Sequence, residues 1–251
     1  MFVAFQFHLR KLDPIEVRNH EGINMTGKMV SYSSSGEVCN GYLANSKGNG
    51  PNIIVLQEWW GLVDHIKDVA DRFAEEGFTT LAPDLYHGKF TQNPNKAGKL
   101  MMALNIETVA NDLNGSIDYL QNLPESTGDP VGCVGFCMGG QLSLYAGCSN
   151  PKIGACVIYY GIHPKVQPDI PSLKAPVLGF FGQKDTFVPP NVAQSLEKKL
   201  RQAGKTVEFH IYSQRDHAFF NDTRPEVYHR IDAEDSWTRM IQFFRRHLPG
   251  S

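Results

Sequence analysis

Cys137 stands between Gly135 and Gly139, with Gly140 next, in the run Val131-Gly-Cys-Val-Gly-Phe-Cys-Met-Gly-Gly-Gln141. A Gly-x-Cys-x-Gly spacing suits a thiol raised on a sharp turn between a strand and a helix. Cβ atoms at the flanking positions would collide with the neighbouring strand and helix. The N-terminus of the following helix would favour a thiolate there, which is the nucleophilic form. A buried, inert cysteine is the plainer alternative, and a common one. Two further residues decide between them. Asp185 follows the apolar run 176–181, and His217 follows the alternating run 206–212. His217 could take the thiol proton, while Asp185 would hold its tautomer and stabilise the imidazolium. Taken singly, Asp185 has a plainer alternative as a turn residue and His217 one as a surface-loop histidine. Together, at three strand ends and in the order nucleophile, acid, histidine, they leave coincidence a poor explanation.

Attack on an acyl carbon creates an oxyanion, which needs preorganised donors. The backbone N–H of Met138 supplies one in such a turn, and Trp59, in the loop after the run 52–56, is the natural second. Glu58 beside it is a carboxylate among aromatic residues and a candidate additional acid or base near the thiol. Its plainer reading is a solvent-facing loop glutamate. His8, His20, His65, His163, His210, His229 and His247 show no ligand spacing and read as surface or core filler. His87 follows Tyr86 at a strand end, where it would line the pocket. Phosphate-binding glycine loops and His-Glu-x-x-His are missing from the sequence.

These residues need a scaffold that brings strand ends together. Segments 29–32 and 37–44, joined by Ser33-Ser-Ser-Gly36, predict an antiparallel hairpin. Runs 52–56, 78–81, 131–135, 154–160, 176–181 and 206–212 predict strands. Helices are predicted over 66–76 (capped by Asp64 and stopped by Gly77), about 107–123, 141–146, 191–202 (closed by Gly204) and 225–247. The polar stretch 87–99 reads as a lid or pocket rim, and 163–171 as a Pro-rich loop. Strands alternating with helices imply a mostly parallel sheet covered on both faces, with its site at the carboxyl ends of the strands.

At 251 residues one α/β domain is expected over 28–251, preceded by an appended arm, 1–27, that does not read as a signal peptide. A net charge of -2 points away from nucleic acid and anionic membranes. Apolar runs of membrane-helix length are missing from the sequence. Five cysteines without paired spacing suit a reducing, cytoplasmic setting, in which sequons at Asn24, Asn114 and Asn221 carry no meaning. The expected partner is a small molecule, and the expected assembly a monomer or small homo-oligomer.

Five motifs in order give these residues a family. Gln-Glu-Trp-Trp-Gly (57–61), Ala-Pro-Asp-Leu-Tyr (82–86), Gly-Phe-Cys-Met-Gly-Gly (135–140), Gly-Gln-Lys-Asp-Thr-Phe-Val-Pro (182–189) and Asp-His-Ala-Phe-Phe-Asn (216–221) resemble the dienelactone hydrolases, or carboxymethylenebutenolidases. The resemblance spans about residues 28–248. It implies an α/β-hydrolase fold, a triad of Cys137, Asp185 and His217, and a glutamate, Glu58, that helps deprotonate the thiol. It also implies hydrolysis of a lactone or ester through an acyl-thioester, without metal or organic cofactor. Substrate contacts are expected from Trp60, Tyr86, Gly88, Lys89, Phe219 and Asn221.

Two positions depart from the family pattern. Where enzymes acting on dienelactone carry substrate-binding arginines, this chain has Gly88 and Asn221. Lys89, Arg215 or Arg224 would have to replace them as the clamp for a carboxylate. An acyltransferase on the same triad and a redox-sensing thiol protein are the competing functions; the second has no use for Asp185 and His217.

Overall fold

The computed structural model describes residues 26–250 except 49, 125, 127 and 129, so most of the expected arm lies outside the described residues. Eight strands form one sheet in the order β1-β2-β4-β3-β5-β6-β7-β8. β1 (Lys28–Ser34) and β2 (Glu37–Ala44) form the expected hairpin. Ser35 and Gly36 turn it with φ of 49° and 87°, the pair of positive angles that a two-residue hairpin loop requires. β2 joins β4 (Thr79–Pro83) antiparallel, and every later pairing is parallel.

β3 (Asn52–Leu56) lies between β4 and β5 (Val131–Phe136). The chain therefore runs outward in one direction after β3 and in the other from β5 onward. The reversal opens a crevice beyond the carboxyl ends of β3 and β5, the usual ligand site of such sheets. Every residue of β3, β4, β5 and β7 (Val177–Gly182) is buried, as helices on both faces demand. β6 (Ile153–Tyr159) and β8 (Val207–Tyr212) complete the sheet.

Helix α1 (Asp64–Glu75) buries Ile66, Val69, Ala70 and Phe73 on the expected stripe and ends at Gly77, whose φ is 95°. Asp64 is not its cap: Val63 holds that place without a side-chain bond, and Asp64 pairs with Lys67. α3 (Ile106–Gln121), α4 (Met138–Ser149) and α5 (Pro190–Gln202) follow the pattern, although α4 starts three residues before the predicted run. The Pro-rich loop contains a short 3-10 turn, Ile170–Ser172.

Three further expectations need correction. Part of the polar rim is a helix, α2 (Pro94–Ala103), capped by Asn93 and buried only at Ala97. α6 (Arg230–His247) starts later than 225, because turns at Val227 and Tyr228, and a bond from the His229 N–H to the Phe219 carbonyl, tie the preceding segment down. Thr26 and Gly27, expected in the arm, are fastened to α1 by hydrogen bonds to Asp71.

Candidate active site

β5 delivers Cys137 to the crevice. The residue has φ 53° and ψ -117°, a conformation that costs a non-glycine residue energy and is held by its surroundings. Its N–H donates to the Tyr159 carbonyl at 3.0 Å, and its own carbonyl accepts from Gly140 and Ile162. The flanking glycines are a steric requirement. A Cβ on Gly135 would stand 1.9 Å from the Gly139 carbonyl oxygen, and one on Gly139 would stand 2.5 Å from that of Leu56. Strand and helix can cross this closely only without side chains. The result is a thiol, 7% exposed, at the first turn of α4.

The loop after β7 supplies Asp185, 2% exposed. Its Oδ1 accepts the N–H groups of Phe187 at 2.7 Å and Val188 at 2.9 Å. Its Oδ2 lies 2.7 Å from Nδ1 of His217, in the turn after β8. The carboxylate accepts a hydrogen bond from Nδ1–H, so Nε2 is the nitrogen left to face Cys137. Burial acts to lower the pKa of His217. The hydrogen bonds to Asp185 and Cys137 and the charge of both outweigh it, and the imidazole is raised to about 10. The two loops are locked together: Lys184 N–H bonds the Arg215 carbonyl at 2.7 Å. A Cβ on Gly182 would meet that same oxygen at 2.4 Å.

The loop after β3 brings Glu58, Trp59 and Trp60. Glu58 is 2% exposed, so the solvent-facing reading is wrong. The hydrogen bond it makes runs to Asn221, whose Nδ2 donates to Oε2 at 2.7 Å. Among the described residues, the backbone N–H groups of Trp59 and Met138 have no acceptor, as an oxyanion hole requires. Tyr86 reaches the same place: its hydroxyl lies 3.2 Å from Met138 Sδ, and burial followed by the proximity of Cys137 pushes its phenol up.

The expected substrate contacts divide. Trp60 lines a cavity of about 700 Å³ with Phe90, Thr223 and Arg224. Asn221 forms part of its wall, so Glu58 lies one side chain behind it, while Cys137 and His217 do not line it. Tyr86 and Lys89 line a smaller cavity of about 200 Å³, together with His87, which also pairs with Asp112 at 3.0 Å. Gly88 lies exposed in a turn with φ 88°. Two of these positions are also engaged within the protein. Phe219 is fully buried, with its ring against Tyr159, Tyr160 and Tyr212, because the loop turns it into the core. Asn221 commits its amide to Glu58 and its carbonyl to Thr223.

Two neighbours of the site were not expected from the sequence. Tyr160 and Phe187 place their rings 4.9 and 5.1 Å from that of His217. Tyr160 follows β6 directly, so the strand-end rule that singled out the other residues applies to it as well.

A model of the dienelactone hydrolase family matches residues 39–248. Protein usf of Aquifex pyrophilus is 38% identical over 229 residues, covering 88% of this chain and 99% of that protein. A protein of Aquifex aeolicus, provisionally named a carboxymethylenebutenolidase, is 32% identical over 229 residues, with 88% and 99% covered. The solved structure of a dienelactone hydrolase-like promiscuous phosphotriesterase from metagenomic libraries is similar in fold, with a TM-score of 0.80 at 22% identity, covering 89% of this chain and 98% of that one. Among the described residues no helix is long and apolar enough to cross a membrane. With a match that runs from β2 to the end of α6, and relatives aligned over nearly their whole length, the chain belongs to the dienelactone hydrolase family and is an ester or lactone hydrolase of the α/β-hydrolase fold.

Proposed function

We propose that the enzyme hydrolyses small, uncharged esters or lactones through an acyl-thioester on Cys137. The observation that carries this reading is the 2.7 Å bond between Asp185 and His217 beside a thiol in a strained turn. With His217 raised and so already held as imidazolium, the thiol of Cys137 gives up its proton to solvent, and the thiolate adds to the acyl carbon. As the C–S bond forms, the carbonyl electrons move to oxygen, where the N–H groups of Met138 and Trp59 receive them. Collapse breaks the C–O bond, and His217 gives its proton to the departing alkoxide. In a lactone that alcohol stays tethered to the acyl group. Water then loses a proton to His217 and attacks the thioester. A second collapse returns the thiolate and leaves the acid, for a net consumption of one water.

The preference for uncharged substrates follows from where the cations are. A buried substrate carboxylate needs charge-assisted hydrogen bonds, for which bidentate arginine is the usual partner. Gly88 has no side chain, Asn221 is committed to Glu58, Arg215 is paired with Asp232, and Arg224 with Glu226. The test is a screen of short-chain nitrophenyl esters, an uncharged lactone and cis-dienelactone, with and without iodoacetamide. The expected result is thiol-dependent hydrolysis with a higher kcat/KM for the uncharged lactone. A tenfold preference for the dienelactone would overturn the substrate class, and activity indifferent to alkylation would overturn the mechanism.

A further inference from the structure

Tyr160 is fully buried, and its hydroxyl has no hydrogen-bond partner among the described residues. A buried polar group left unpaired costs stability, so one beside a reactive centre calls for a reason. Its backbone is strained as well, with φ 39°, and is held by a 2.7 Å bond from its N–H to the Phe180 carbonyl. Gly161 then packs against Gly140 of the turn, where a Cβ on Gly140 would stand 2.7 Å from the Gly161 Cα. The position is thus built into the elbow. The ring lies 4.9 Å from that of His217, with Phe219 and Phe136 on other sides. The ionisable groups that act on it are Glu58, Cys137, Tyr159 and Asp185, in that order after burial, and all drive its phenol upward, so it stays protonated and keeps its O–H as a donor.

Glu58 and Cys137 are both buried and both act on the Tyr160 phenol, so ionisation of Cys137 would add a second negative charge to the same buried surroundings. Like charges in low dielectric disfavour each other unless a donor stands between them. We propose that Tyr160 is a positioning residue whose unpartnered hydroxyl donates to the Glu58–Cys137 pair when the thiol has lost its proton. The proposal rests on Cys137 being the nucleophile. In the resting site Glu58 is held by Asn221 and the hydroxyl waits; after ionisation it offsets the added charge. The stability lost to an unpaired hydroxyl is then part of the catalytic design.

The experiment measures the pH dependence of iodoacetamide alkylation in wild type and Tyr160→Phe, with peptide mapping of the label and denaturant midpoints. Tyr160→Phe should raise the alkylation midpoint by about one pH unit, the size expected of a hydrogen bond to a charged group. It should lower kcat several-fold with little change in KM, and leave stability unchanged or improved. Tyr159→Phe removes the adjacent hydroxyl, which faces Ser236 on the α6 side, and should leave the midpoint in place. In a Glu58→Gln background, Tyr160→Phe should add much less than it does alone. Label on Cys137 with an unshifted midpoint overturns this proposal alone, as does an equal shift in Tyr159→Phe. Full additivity with Glu58→Gln also overturns it. Label on another cysteine contradicts the nucleophile reading, and this proposal with it.

Discussion

Glu58 and Asn221, 163 positions apart in the chain, are joined by a 2.7 Å hydrogen bond from the amide Nδ2 to the carboxylate Oε2. The bond ties the loop after β3 to the loop that carries His217, and it crosses the crevice where the strand order reverses. Asn221→Ala would leave the buried carboxylate without this donor. We expect a loss of about 1–3 kcal/mol in stability, together with a fall in kcat. Asn221→Asp would set two acids against each other, so that one must stay protonated. Denaturant midpoints and kcat read both; wild-type values in both variants would mean that the bond has no role.

A second prediction follows from His217. Its folded pKa, raised to about 10, lies above the value near 6.5 of a free histidine. Between these values the folded protein holds a proton that the unfolded chain has released. The stability this contributes is fully present below about 6.5 and is lost as pH rises through about 10. The wild-type denaturant midpoint should therefore fall, relative to His217→Gln, across that window. Parallel curves for the two proteins would sink the assignment. Asp185→Asn, which removes the charge that favours the imidazolium, should lower kcat by about 10²-fold or more.

A third concerns the turn itself. Gly135→Ala places a Cβ 1.9 Å from a backbone oxygen that cannot move without shifting α4. It should cost about 3 kcal/mol or more, or abolish soluble expression. Gly48→Ala, with nothing within 4 Å of the new carbon, should be close to neutral. Similar midpoints for the two variants would contradict the account of the elbow.

How far the sequence revealed the site depended on whether a residue's role is local. Cys137, Asp185 and His217 were legible because reactive types follow runs that read as strands, and the glycines around Cys137 have a steric purpose on their own. Asn221 was not: its partner Glu58 sits on another element, so the position looked only like a lost clamp. The burial of Phe219 and the place of Tyr160 beside His217 were not legible, because residues near a strand end do not say which of them turns into the core. Helix α2 escaped because it buries only Ala97 and so shows no apolar stripe, although Asn93-Pro94 marks its start. The late start of α6 follows from the bond between His229 and Phe219, a contact that local patterning does not contain.

The central claim is a covalent one, and the most direct measurement is to catch the intermediate. Turnover of p-nitrophenyl acetate should be quenched with acid in the steady state, and the protein digested and mapped by mass spectrometry. One acetyl group, labile to hydroxylamine as a thioester is, should appear on the peptide bearing Cys137 and vanish in Cys137→Ala together with activity. An unmodified Cys137 peptide during active turnover, or near wild-type turnover by Cys137→Ala, would contradict the account.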